Sequence, residues 1–302
     1  MVEPDAQCNA KNPMVSVIIP CFDDAESIGD VLDALAQQRY PRECIEVIVV
    51  DNGSTDGSQN VVRTRNVRLL AEPIRSAYVA RNRGITESSG AFLLFLDADT
   101  IPCPDWVTSL VRTAIHNDAD LVGGRIENVV MGHRLGDALL AHTHSAQRRQ
   151  EAVEVYGRLS GGNMLVARSV FKNFGLFLPV QSGADGEFSE RANPLRKSIP
   201  FANDAVVSHR CNIGTRAYLR RAFRIARGQA QTRRQGGKEE EEDRSVPLPW
   251  RPGFRRAIRV RNELALYHRF PLGYVLLVLW LERWFFFSGY RMGCAETMDG
   301  TR

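Results

Sequence analysis

The sequence predicts an α/β fold: a mostly parallel, Rossmann-like sheet with helices on both faces, followed by a helical C-terminal extension that meets a membrane. Three observations carry this. The runs MVSVIIP (14–20), IEVIVVD (45–51), VRLLA (67–71) and AFLLFLD (91–97) are apolar and of strand length, the mark of strands buried on both faces. The segments between them have helical spacing, so strands and helices alternate in the order that makes parallel sheets. Acids gather where the strands end, and ligands of such sheets sit beyond the carboxyl ends of the strands.

The first run, 14–20, ends in Pro20-Cys21-Phe22-Asp23-Asp24. The helix predicted over Glu26 to Gln38 puts Ile28, Val31, Leu32 and Leu35 on one face, the spacing of an amphipathic helix. The run 45–51 ends in Asp51-Asn52-Gly53-Ser54-Thr55-Asp56-Gly57, a turn composition. A short helix over Thr55 to Arg65, the strand 67–71 and a helix over Ser76 to Ser88 follow. The fourth strand closes in Asp97-Ala98-Asp99, and Pro102 and Pro104 oppose any regular continuation. Two side chains one residue apart in extended chain face opposite ways; where the chain turns at a strand end, both can line one cleft.

Beyond residue 105 the pattern is looser. A helix is expected over Trp106 to His116, strands within 120–130, a polar helix over 136–152, and a glycine loop leading into a strand over 158–168. SGADGEFSERA (182–192) starts a helix, and SIPFANDAVVSHR (198–210) reads as two short strands. The reading divides the chain into an N-terminal tail (1–13), a main domain (14–228), a disordered charged loop (229–249) and a C-terminal segment (250–302).

The bulk numbers exclude more than they select. At 302 residues, 44% hydrophobic and 25% charged, the chain has the make-up of a globular protein. A net charge of +4 is too mild to point to nucleic acid, and none is expected as partner. The six cysteines, Cys8, Cys21, Cys44, Cys103, Cys211 and Cys294, form no C-x-x-C pair, which suits a reducing cytosol better than a metal knuckle. No apolar signal segment opens the chain, and a cytoplasmic location is expected. Neither G-x-G-x-x-G nor G-x-x-x-x-G-K-[ST] is present, against a dinucleotide or P-loop site.

Seven segments in order, VSVIIPCFDDAESI, VIVVDNGSTDGS, ARNRGI, FLLFLDADT, GGNMLVAR, ADGEFSER and AVVSH, resemble the family 2 glycosyltransferases, which have the GT-A fold. The resemblance covers about residues 14 to 228. It implies transfer of a sugar from a nucleotide-diphosphate donor, most often a UDP-sugar, to a glycan or lipid-linked hydroxyl, with inversion. Pro20, Asp23 and Asp51 match positions that line the base and ribose pocket, and Arg81 lies in a segment that flanks it. Asp97 matches the acid near the ribose, and Asp99 the acid that holds Mg²⁺ or Mn²⁺ on the diphosphate. His209 matches a further metal ligand, and Gly161-Gly162-Asn163 a loop at the sugar and acceptor. The family's catalytic base lies in E-D-x-D-[LF]-x-x-R. Here Asp185 retains the second acid, Ala184 replaces the first, and Glu187 lies two residues on. Two other readings are a non-catalytic, membrane-surface nucleotide-sugar-binding protein and a sugar-phosphate nucleotidyltransferase. The second expects G-x-G-T-R where this chain has PCFDD.

Outside the motifs, the stretch from Arg216 to Arg234 is rich in arginine and free of acids. FPLGYVLLVLWLERWFFFSGY (270–290) is long enough to span a bilayer, but Glu282 and Arg283 interrupt it, and mid-bilayer charge is costly. The expectation is an amphipathic or re-entrant helix on the cytoplasmic membrane face.

Overall fold

The first apolar run forms β1 (Val15–Cys21), and the helix after it forms α1 (Ile28–Ala36) in the computed structural model of the chain. Ile28, Val31, Leu32 and Leu35 are the buried side of α1, as the spacing requires. The structure describes residues 8–130, 134–143, 145–195, 197–211, 213–235 and 272–299. The alternation continues through β2 (Ile45–Asp51), α2 (Ser58–Arg63), β3 (Arg68–Ala71), α3 (Ala77–Glu87) and β4 (Phe92–Leu96). Ser76 caps α3, its hydroxyl accepting from the Tyr78 and Val79 N–H groups.

These strands lie parallel in the order β3-β2-β1-β4, paired Val15↔Ile45, Ile48↔Arg68 and Val15↔Phe92. Their apolar side chains are buried almost without exception in β1, β2 and β4, each worth about 1.5–3 kcal/mol when withdrawn from water. The remaining elements are β5 (Thr100–Pro102), α4 (Trp106–His116), β6 (Leu121–Val130), α5 (Leu135–Thr143), α6 (Ala146–Glu154), β7 (Asn163–Ala167), α7 (Arg168–Phe174), α8 (Ala184–Ala192), β8 (Phe201–Cys211), α9 (Thr215–Gln235) and α10 (Leu272–Asp299). The eight-stranded sheet has the order β3-β2-β1-β4-β7-β6-β8-β5. β7 runs antiparallel to β4 and β6, and β5 antiparallel to β8.

Several expectations are corrected. The chain over 198–210 holds one long strand, β8, in place of two short ones. The polar helix over 136–152 is two helices, α5 and α6. Pro102 does not prevent a strand: β5 is a three-residue edge strand, where a missing N–H is tolerated. α9 continues to Gln235, into the stretch read as a charged loop; residues 236–249 of that loop, and 1–7 of the expected tail, lie outside the described residues. Cys8 and Cys44 form a disulfide with Cα atoms 5.5 Å apart. A separation of 36 residues makes no motif, which is why the sequence reads as a set of scattered thiols.

The chain divides into two compact units. One comprises Met1–Glu127, Ala146–Pro179 and Phe188–His209; the other comprises Asn128–Ser145, Val180–Glu187 and Arg210–Arg302. The first holds the sheet core and an aromatic cluster in which Phe171 stacks on Phe188 at 4.8 Å and Phe177 meets Phe95 edge-on at 5.5 Å.

In the second unit, Leu135, Leu139 and Leu140 of α5 pack with Tyr218 and Leu219 of α9 and with Val278 and Leu279 of α10. Tyr218 donates to Glu282 Oε1 at 2.9 Å. The half-buried Glu282 thus has a partner for its Oε1, as a polar group inside a helix pair needs. Leu277 and Trp284 are each 50% exposed and Trp280 39%. Among the described residues, no helix is long and apolar enough to cross a membrane.

Candidate functional site

Register assembles the site. In the parallel set, Cys21 lies level with Asp51 and Asp51 with Ala71, so the turns after β1 and β2 open at one sheet edge. Leu96, the last residue of β4, pairs with Asn163, the first of β7, which brings Gly161 and Gly162 beside the turn after β4. Thr100 pairs with His209, which brings the end of β8 to the same place. Five chain segments therefore converge on that edge, all in the first unit.

The turns after β1 and β2 are stitched together by their polar side chains. Asp51 is 3% exposed. Its Oδ2 accepts from Gly53 N at 3.2 Å and from Gln59 Nε2 at 2.8 Å, and Ser54 N also approaches it. Asp51 therefore shapes the loop from within. Asp23, with φ of 50°, accepts from Thr55 N at 2.7 Å and lies 4.0 Å from Arg75 Nη2. Asp56 accepts from the Ala25 N–H at 2.8 Å. Pro20 is half-buried just before the turn, and the Arg75 guanidinium lies 3.7 Å above the Phe22 ring.

The turn after β4 answers why its acids are spaced by one. Ala98 is 3% exposed and points inward. Asp97 and Asp99 on either side of it are each 42% exposed. Thr100 Oγ1 donates to the Asp97 carbonyl at 2.8 Å, and Thr100 N donates to the same oxygen at 3.2 Å, which closes the turn. Asp99 Oδ2 lies 3.2 Å from His209 Nε2. Asp97 Oδ1 accepts from Arg81 Nη2 at 2.5 Å. Arg81 is 5% exposed, and its Nε is buried without a hydrogen-bond partner. It stands behind Asp97 and does not open on the cleft as the sequence reading of a pocket residue expects.

The glycines explain this close approach. A Cβ on Gly162 would lie 2.6 Å from Asp97 Oδ2, and one on Gly161 3.1 Å from Arg81 Cζ. Asn163 is a correction to the sugar and acceptor assignment. It is 1% exposed, its amide donates to the Arg125 and Ala205 carbonyls at 2.9 Å each, and its oxygen accepts from Trp106 Nε1 at 2.8 Å. Its hydrogen-bonding groups are spent on tying α4, β6, β7 and β8 together.

Sequence reasoning missed Asp24. Burial pushes its carboxyl up to about 6, against a lowering hydrogen bond from Phe22 N, and the charges of Asp99 and Asp97 add to the rise. Asp24 thus stands within electrostatic reach of the DAD turn. The signal was in view, as the second acid of FDD. Cys21 is buried beneath these acids, and burial, with the Asp24 charge, pushes its thiol up to about 12, so it is an inert filler. Asp185 and Glu187 lie in the first turn of α8, in the second unit, and Asp185 Oδ1 accepts from Gly186 N at 3.0 Å.

The family model of glycosyl transferase family 2 matches residues 16–175, the span that carries the turns after β1, β2 and β4 and the Gly161-Gly162 step, but neither the first turn of α8 nor the end of β8. The chain belongs to that family. Glycosyltransferase AglE of Haloferax volcanii is 35% identical over 228 residues, covering 72% of this transferase and 74% of AglE. Glycosyltransferase GlyA of Streptococcus pneumoniae is 22% identical over 67% of this chain and 31% of its own. The fold is that of GT-A enzymes. The mannosyltransferase PcManGT of Pyrobaculum calidifontis, in complex with GDP-Man and Mn²⁺, superposes with a TM-score of 0.61 at 21% identity, covering 94% of this chain and 86% of that one. Glucosyl-3-phosphoglycerate synthase of Mycobacterium tuberculosis, in complex with Mn²⁺, UDP and glucosyl-3-phosphoglycerate, gives 0.56 at 21% identity, covering 80% and 88%.

Proposed function

We propose that this transferase moves a sugar from a nucleotide-diphosphate donor, with uridine the preferred nucleoside, to a hydroxyl of a glycan or lipid-linked acceptor, with inversion. The observation that carries the donor half is the DAD turn: two half-exposed carboxylates on one sheet edge, with His209 against the second. The two GT-A structures above, one holding GDP-Man and the other UDP, support a nucleotide at this edge.

The residues present fit a divalent cation. Asp99 offers hard carboxylate oxygen, and His209 Nε2, 3.2 Å away, offers an imidazole nitrogen. Among the described residues no three His, Cys, Asp or Glu gather as a complete ligand set, so donor oxygens and water would complete the coordination. When bound, Mg²⁺ or Mn²⁺ would neutralise charge gathering on the departing diphosphate. Asp23 and Pro20 border the nucleoside, with Asp51 shaping that wall from behind. Asp185 takes the proton of the acceptor hydroxyl as general base, a role worth about 10²–10⁴ in rate, and Glu187, on the same helical turn, meets the acceptor. Gly162 borders the sugar. One displacement with one base inverts the anomeric carbon.

Calorimetry of UDP with and without Mn²⁺, on wild type and Asp99→Ala, tests the donor site. Wild type should bind UDP at least tenfold more tightly with Mn²⁺, and Asp99→Ala should lose that difference. UDP, GDP and dTDP all failing to bind would overturn the proposed site.

A further inference from the structure

We propose that a polar notch between α4 and the open start of β8 is a second binding site, one that holds the neutral glycan chain of the acceptor behind its reacting unit. This deepens the glycan-acceptor reading above and rests on it.

The notch follows from the length of β5. Pro102 and Pro104 stop that strand early, so it covers β8 only from Val207 to His209. β8 begins before that, at Phe201. Cys103 N still donates to the Val206 carbonyl at 2.9 Å, and the chain then turns away into α4. Asn203 and Asp204 of β8 are left exposed. A cavity of about 640 Å³ opens between them, α4 and β6, the size of a small-molecule site. All of it lies in the first unit.

Its lining selects the ligand. Asp204 pairs with Arg112 at 3.1 Å, Glu127 with Arg125 at 2.7 Å, and Asp105 with Arg39 at 3.0 Å. The carboxylates on the notch are thus already neutralised: a divalent cation has to displace a guanidinium, and an anion meets the acids. Cys103 and Val206 are its apolar members, too little surface for a lipid tail. Each ion pair keeps acceptor lone pairs and N–H groups to spare, and Arg125 Nε is buried without a hydrogen-bond partner. Ser109 and Asn203 add a hydroxyl and an amide. Planar groups that donate and accept side by side fit the vicinal hydroxyls of a sugar.

Its place fits an acceptor and not a donor. In the sheet, β4, β7 and β6 stand between β8 and the strands β1 and β2, whose turns make the proposed nucleoside wall. Val206, at the near end of the notch, lies three residues before His209 in β8, about 10 Å away at the rise of a strand. A glycan whose terminal hydroxyl reacts near His209 can run back along β8, away from the nucleotide, and reach the notch within a few sugar units.

The test is a printed array of neutral and acidic oligosaccharides, probed with the full chain with and without UDP and Mn²⁺. Wild type should bind a neutral oligosaccharide and not its monosaccharide. In calorimetry with that oligosaccharide, Arg112→Gln and Arg125→Gln should each weaken binding by about tenfold, the worth of hydrogen bonds to a charged group. Asn203→Trp, which fills the notch from an exposed position, should abolish it. Thermal melts show that each variant is folded; if Arg125→Gln is not, Arg112→Gln and Asn203→Trp carry the test. UDP affinity of all three should stay within about twofold of wild type, as it does for independent sites. A preference for acidic oligosaccharides overturns the inference. Oligosaccharide binding that the folded variants leave unmoved keeps the glycan reading and overturns only this one. No oligosaccharide bound at all fails both, while UDP binding in the same wild type still reports on the donor site alone.

Discussion

At the residue scale, the side chains that hold the site are as consequential as those that face it. Asn163 reads in sequence as part of a sugar loop, yet its amide bridges three strands and the Trp106 indole. Replacing it with Ala leaves buried partners unpaired, at about 1–3 kcal/mol each for the groups that water cannot reach. Asn163→Ala should therefore lower the melting temperature by several degrees while donor affinity of the folded protein stays within about twofold. A large affinity loss at unchanged stability would restore the ligand-contact reading. Glu46 is a second such holder. Burial pushes its carboxyl up, but hydrogen bonds from Ser16 Oγ and from Ser89 N and Oγ outweigh this and hold it below its ordinary value. A lowered folded-state value means that the unfolded chain binds the proton more tightly. The stabilisation is then present at neutral pH and is lost as pH falls through the lowered value. Glu46→Gln should destabilise the protein at pH 7, with the gap closing as the pH falls through the lowered value, read by denaturant melts across pH. A gap that does not narrow on acidification would reject this account.

At the element scale, close approach decides which helices can pair. Gly289 of α10 sits where a Cβ would fall 2.3 Å from the Phe223 carbonyl oxygen of α9. Tyr218 meets Glu282, and Ala226 and Ala230 meet Tyr290. The contacts advance together along both helices, so α9 and α10 run in the same direction. Gly289→Ala pushes backbone against backbone and should destabilise the second unit by about 1–3 kcal/mol, seen as an earlier transition in proteolysis or hydrogen exchange of α9. Unchanged protection there would show that the pair relaxes freely. Periodicity made α1 and α4 readable, because each buries one clean face. It did not show that β8 is continuous or that the 136–152 helix breaks, since these depend on neighbours distant in sequence.

At the scale of the whole molecule, the sheet gathers its acid-bearing turns at one edge, where the donor site is proposed, and the second unit adds an arginine-rich helix beside an apolar one. α9 contains no acid, with Arg216, Arg220 and Arg224 exposed along it. α10 exposes Leu277, Trp280 and Trp284. Basic side chains beside exposed tryptophans match the chemistry of an anionic lipid surface. The full chain should sediment with phosphatidylcholine vesicles containing phosphatidylglycerol and much less with phosphatidylcholine alone. Trp280→Ser combined with Trp284→Ser should release it. Equal sedimentation with and without those changes would leave the stripe to another partner, such as a second copy of the chain.

The parallel strands, their helices, the acid-bearing turns and the family were all legible in the sequence, because each rests on local composition and short spacing. Burial of an apolar run on both faces and a turn's need for Asp, Asn and Gly are written within a few residues. The roles of individual acids were not legible. Asp97 and Asp99 differ by their partners, Arg81 and His209, which lie 16 and 110 residues away along the chain. Asn163 and Asp51 resemble ligand contacts in sequence, but strand pairing and loop closure turn them inward, and only the tertiary structure decides which polar atoms are already spent. A carboxylate's chemistry is set by what stands within a few ångströms of it.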